Sequence, residues 1–129
     1  MDLARHPKAL AARIRVEMHL LVRALAAGRF EDAAACVHQD ESDPWDAARL
    51  EAALAPFLAE YCRIVFGGRA RLADQTGSKI KTVAQRRFEV FQKLLDRSGD
   101  GFWHIEGEVD LEGEKAPEGP LLRMRRIGS

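Results

Sequence analysis

The sequence predicts an α+β domain, in which about three N-terminal helices pack on a curved antiparallel sheet of about four strands. Three observations carry this. Apolar residues recur at helical spacing through the first half of the chain. After Cys62 the texture turns to short β-prone runs broken by glycine-rich turns. The stretch Gly101 to Leu111, GFWHIEGEVDL, alternates with a period of two, and that is the pattern of a strand between a core and water. Helices followed by strands, rather than alternating with them, is the α+β order.

The first helix starts near Pro7, and Leu10, Ile14, Met18, Leu21, Val22 and Leu25 form its stripe up to Gly28. Gly28 suits the C′ position because it accepts the left-handed conformation. Glu17 lies one turn from Ile14 and Leu21, so it is expected to be a boundary residue reaching an arginine rather than a catalytic acid. A short second helix, FEDAAACVH, turns Phe30, Ala33, Ala34 and Val37 inward. Asp43, Pro44 and Asp46 read as N-cap, N1 and N3 of a third helix whose stripe is Trp45, Leu50, Leu54, Phe57, Leu58 and Tyr61. Pro56 lies inside it and predicts a kink or break between Ala55 and Phe57.

Arg63 to Phe66 is β-prone, Gly67-Gly68 reads as a bulge or turn, Arg69 to Leu72 continues the run, and DQTGS is a turn. Lys79 to Asp96 fits two periods. As a strand it places Phe88, Val90, Gln92 and Leu94 on one face; as a helix it aligns Ala84, Phe88, Phe91 and Leu95. The compact turn DRSGDG, leading straight into the GFWHIEGEVDL strand, favours the strand and a hairpin between the two. In that strand Trp103, Ile105, Val109 and Leu111 are expected in the core, and His104, Glu106, Glu108 and Asp110 in water. EGEKAPEG is a polar loop, and Leu121 to Ile127 a final strand near an edge, charged by Arg123, Arg125 and Arg126.

At 129 residues the chain reads as one domain, 1–129, with a helical layer over 1–62 and mainly sheet over 63–129. The 47% apolar and 31% charged fractions are ordinary for a globular chain. No apolar run approaches the roughly 20 residues needed to span a bilayer, and MDLARHPKAL lacks the apolar centre of a signal peptide. Cys36 and Cys62 match no metal or redox spacing and read as buried thiols in a reducing, cytoplasmic setting. Net charge is zero, yet Arg63 to Gly99 holds nine basic residues against three acidic ones. Such an excess steers anions. The candidate phosphate contacts are Arg69, Arg71, Lys79, Lys81, Arg86 and Arg87, which cluster in sequence around one turn.

Other constellations point elsewhere. His38, Asp40, Glu41 and Asp43 are metal-ligand types, but four polar residues before a helix are commonly capping groups, so no metal is expected. Trp45, Tyr61, Phe66 and Trp103 are candidate pocket-lining aromatics, although aromatics at such spacings usually form core. No phosphate-loop, dinucleotide, zinc-protease or nucleophile-elbow motif occurs, and no cofactor or catalytic residue is assigned.

Helices feeding a hairpin-rich sheet, with the segment LVRALAAGRFEDAAACVHQDE, resemble the NTF2-like (cystatin-like) cone shared by ketosteroid isomerase and polyketide-cyclase relatives. No position here matches the catalytic Asp and Tyr of the isomerases. A second resemblance spans nearly the whole chain. RHPKALAARIRVEMHLLVRAL, SDPWDAARLEAALAPFLAEY and DGFWHIEGEVDL followed by PLLRMRRI look like the uncharacterised C-terminal domain of some bacterial DEAD/DEAH-box helicases. No motor motif is present, so ATP hydrolysis is not expected of this chain. This resemblance implies a non-enzymatic accessory module that contacts helicase motor domains, RNA or DNA, or another protein; the resemblance to the cone fold adds homodimerisation through the wet face of the sheet as an expectation. The alternative is an NTF2-like small-molecule binder or enzyme with its site inside the cone.

Overall fold

The computed structural model describes residues 2–66, 78–113 and 119–129. Arg69, Arg71, the Gly67-Gly68 turn, the first four residues of DQTGS and most of the EGEKAPEG loop lie outside them. The elements are α1 (Pro7–Ala26), α2 (Phe30–Ala35), α3 (Ala47–Tyr61), β1 (Lys79–Ala84), β2 (Arg87–Lys93), β3 (His104–Asp110) and β4 (Arg123–Gly128). The four strands form one antiparallel sheet in the order β1-β2-β3-β4. This is the α+β architecture expected, with three helices and an open four-stranded sheet.

Helix α1 forms where the periodicity placed it. Pro7 stands at its start, and its stripe of Leu10, Ile14, Met18, Leu21, Val22 and Leu25 is buried. From α3 come Leu50, Leu54, Phe57 and Tyr61, and from the sheet Phe88, Val90, Ile105, Val109, Met124 and Ile127. Together they make one contiguous core, which is the dominant stabilising term for a domain of this size. Gly28 ends α1 at φ 71°, as its position suggested.

Several local expectations are corrected. Asp46, not Asp43, caps α3, because its carboxylate accepts from the Arg49 amide at 2.9 Å. Helix α3 then runs unbroken through Pro56. Pro56 is exposed, and so is Ala52 one turn back, so water can take the carbonyl that the missing N–H leaves. Residues 63–66 form no strand; they run alongside the sheet, and the Val65 amide donates to the Leu95 carbonyl at 2.8 Å. The Lys79 to Asp96 segment is two strands rather than one. They are joined at Gln85-Arg86, with a bulge between Thr82 and Ala84. The second of them does pair with the GFWHIEGEVDL strand, in register from Arg87↔Asp110 to Lys93↔His104. Trp103 is half-buried rather than core, lying edge-on to Phe57 at 5.7 Å. Cys62 is exposed and Cys36 half-buried, so the two thiols are not both core groups.

Candidate nucleic-acid interface

With the helices on one side, the other side of the sheet carries the alternate residues of each strand. The registers place Lys79 beside Phe91, Phe91 beside Glu106, and Glu106 beside Arg126. The next row runs Lys81, Glu89, Glu108 and Arg123. On this face Lys79, Lys81, Arg87, Lys93, Arg123, Arg125 and Arg126 outnumber Glu89, Glu106, Glu108 and Asp110.

The charges divide into two groups. Around Glu106 and Glu108 they neutralise one another. Glu108 is only 8% exposed, although its place in the alternation predicted a wet residue. Arg87 donates to one of its oxygens at 3.0 Å and Arg125 to the other. Two guanidiniums compensate one buried carboxylate, and so this position is closed although it faces away from the helices. Glu106 accepts from Arg126 at 2.9 Å and lies 3.6 Å from His104. On β1 and the end of β2 the cations are unspent. Lys79, Lys81 and Lys93 are exposed, and their ammonium groups make no hydrogen bond or ion pair among the described residues. Between them lies Phe91, half-buried, with its ring 6.2 Å from that of His104.

The sequence-predicted phosphate contacts therefore have different surroundings. Lys79 and Lys81 share one face of an edge strand. Arg86 is a clamp. Its guanidinium donates twice to Asp2, at 3.0 Å each, and its Nε to the Leu111 carbonyl at 2.8 Å, tying the N-terminus, the hairpin turn and the end of β3 together. Arg86 holds the Asp2 carboxyl below the usual carboxylate range. Arg87 is held by Glu108, which raises its already high pKa. Arg69 and Arg71 lie outside the described residues.

The four candidate pocket aromatics are not brought to one place. Trp45 and Tyr61 stand at opposite ends of α3, roughly 24 Å apart at the helical rise. Tyr61 and Trp103 both pack against Phe57, at 5.1 and 5.7 Å. The Tyr61 hydroxyl donates to Asp100 at 2.8 Å, and this bond pushes its pKa up to about 12. Phe66 stacks at 5.1 Å from His19. Trp45 lines a cavity of about 190 Å³, together with His38, Asp40, Asp43, Glu108, Arg123, Met124 and Arg125. Among the described residues, no group of three or more His, Cys, Asp or Glu side chains is placed to hold a metal.

Read as a strand, Lys79 to Asp96 puts Phe91 and Lys93 on the face opposite Phe88 and Val90, but the sequence singles out neither as a site residue, and His104 reads there as one of a solvated row. The signal was the alternation itself: a phenylalanine on the polar side of a strand, flanked at i+2 by a lysine, is out of place in a merely solvated row.

A family model matches residues 1–127. The chain belongs to DUF3516, a domain of unknown function. No curated protein and no solved structure matches the chain. The DUF3516 match takes in both the helices and all four strands, so the outer sheet face and the cavity both fall within the family's region.

Proposed function

We propose that this domain is a non-enzymatic accessory module that binds single-stranded nucleic acid on the outer face of its sheet. The observation that carries this is the Phe91–His104 ring pair, set among three lysines, Lys79, Lys81 and Lys93, that make no ion pair among the described residues. Lysines at that spacing contact phosphates, and these contacts carry no base information. An aromatic ring on an open sheet offers a stacking surface, which a duplex with its bases already stacked cannot use. Arg69 and Arg71 add to the basic stretch on sequence grounds. The resemblance to a helicase C-terminal domain supports the same reading, because such a module would hold a strand beside a motor. Helicase motor domains are accordingly the protein partner proposed. Homodimerisation through the sheet would cover the same face and compete with the strand.

The test is fluorescence anisotropy of labelled single- and double-stranded RNA over a salt series. Single strands should bind more tightly than duplex of the same sequence, with little sequence preference. Lys79→Ala/Lys81→Ala should reduce the log–log salt slope by about 1.4, at ~0.7 per phosphate contact. Phe91→Ala should weaken binding by about 1–3 kcal/mol with the salt slope kept. Equal affinity for both strand states, or binding untouched by Phe91→Ala, would sink the proposal.

A further inference from the structure

The cavity that Trp45 lines is built by a rigid loop. The Gln39 side chain bridges it, donating to the carbonyls of Ala34 at 2.9 Å and Trp45 at 2.7 Å and accepting from the Trp45 amide at 2.8 Å. The His38 amide donates to the Leu122 carbonyl at 2.7 Å, which docks the loop beside β4. The opposite wall is Glu108 with Arg123, Met124 and Arg125.

The polar groups of this cavity are unequally used. Every carboxylate is already engaged. Asp40 accepts from the Ser42 amide and hydroxyl, at 3.1 and 2.9 Å. Asp43 accepts from Arg49 at 2.6 Å, and Glu108 from Arg87 and Arg125. The donors are not. Arg123 has only an ion pair with Asp40 at 3.6 Å, too long for a hydrogen bond, and makes no hydrogen bond among the described residues. The exposed His38 imidazole makes no hydrogen bond among them and lies near the Asp40 carboxylate. The Trp45 indole N–H is buried, with no hydrogen-bond partner among the described residues. Glu108 is hydrogen-bonded through both oxygens and Asp40 and Asp43 through one each, whereas the Arg123 guanidinium makes no hydrogen bond among the described residues; its fork matches an oxyanion in shape and charge.

We propose that this cavity binds a small molecule through its oxyanion, a carboxylate or phosphate held by Arg123 and His38. At about 190 Å³ it lies below the roughly 300–1,000 Å³ of pockets for drug-sized ligands, so the ligand is small. The site lies at the β4 end of the outer face, away from the β1 lysines, and the proposed oxyanion binding does not rest on nucleic-acid binding.

The chain has two tryptophans, Trp45 and Trp103, so the test can be read on two indole N–H signals by NMR. Trp103 lies by Phe57 and serves as the internal control. Trp45→Phe assigns the signals. The intact chain is titrated with sodium phosphate and, separately, with sodium succinate, each against sodium chloride at matched ionic strength. Saturable movement of the Trp45 signal alone is expected, and the tighter of the two titrants identifies which oxyanion the site prefers. Arg123→Gln should weaken binding roughly tenfold, the loss of one charge-assisted hydrogen bond. Should that variant fail to fold, His38→Gln, at an exposed position whose imidazole makes no hydrogen bond among the described residues, should weaken binding in the same direction. Shifts equal to those with chloride, or unchanged affinity in the folded variant, overturn the proposal.

Discussion

Glu17 lies on the border of the α1 stripe, and its carboxylate joins the two halves of the fold. One oxygen accepts from the Leu121 and Leu122 amides at 2.8 and 2.9 Å, and the other pairs with Arg13 at 3.3 Å. This is the boundary role expected of it, with two backbone partners from over a hundred residues away added. Glu17→Ala would strand two amides on buried residues and should cost roughly 2–4 kcal/mol. Glu17→Gln keeps the acceptor and should cost less; equal losses in urea melts would refute the amide clamp. Cys62 is a second residue-level case. It ends α3 at φ 69°, in the left-handed region, and the Arg63 amide closes a tight turn onto the Tyr61 carbonyl at 2.8 Å. That conformation favours glycine, and Cys62 is exposed. Cys62→Gly should therefore raise stability by about 0.5–1 kcal/mol, and a lowered thermal midpoint would contradict this.

At the scale of elements, the β3–β4 pair shows why a glycine stands in the middle of a strand. The register shifts between Glu106 and Gly107, leaving Arg125 as the extra residue on β4 and directing its guanidinium to Glu108. The strands come so close there that a Cβ on Gly107 would sit 2.8 Å from Leu122 Cδ1 and 2.9 Å from the Arg123 carbonyl oxygen. The leucine could turn away; the carbonyl belongs to the sheet backbone and cannot. Gly107→Ala is expected to destabilise by about 1–3 kcal/mol, an overpacking cost. Chemical denaturation measures it, and a neutral result would mean that the strands separate more easily than this register implies. The turn after β2 is organised differently. The Asp96 carboxylate accepts from the amides of Ser98, Asp100 and Gly101 at 2.9 to 3.0 Å, which holds DRSGDG in one shape and aims β3 back along β2.

Over the whole molecule, acid tests the carboxylates that hold distant segments together. Burial alone would raise the Asp96 pKa, but the turn amides outweigh it and leave the group below its ordinary value. Asp2 is lowered by its hydrogen bonds to Arg86, and Asp40 by those from Ser42, with Arg123 and His38 nearby. A carboxyl whose pKa is depressed by folding contributes stability above its unfolded value, near 3.9, and loses it as pH falls through its folded value. Urea midpoints should therefore stay level from neutral pH to about 5 and fall below about 4. Asp96→Asn should start less stable and fall less steeply, and a parallel curve would remove Asp96 from this account. Among the described residues no helix is long and apolar enough to cross a membrane.

The helix stripes, the β3 alternation and the hairpin ahead of it are legible in the sequence, because periods of 3.6 and 2 are local properties of the backbone. The same periodicity put Phe88, Val90, Gln92 and Leu94 on one face, and all four are buried. Which polar residue on the outer row is closed off was not legible. Glu108 and Glu106 are alike in the alternation, and only the arrival of Arg87 from β2 and of Arg125 from the β4 bulge buries the former. The basic stretch was likewise visible as composition. Its division into lysines free to meet phosphate and an arginine consumed by Asp2, a partner 84 residues away, depends on where folding brings the N-terminus. Sequence determines which side of an element a residue occupies; the partners that spend or spare its charge come from other elements, and only the tertiary structure supplies them.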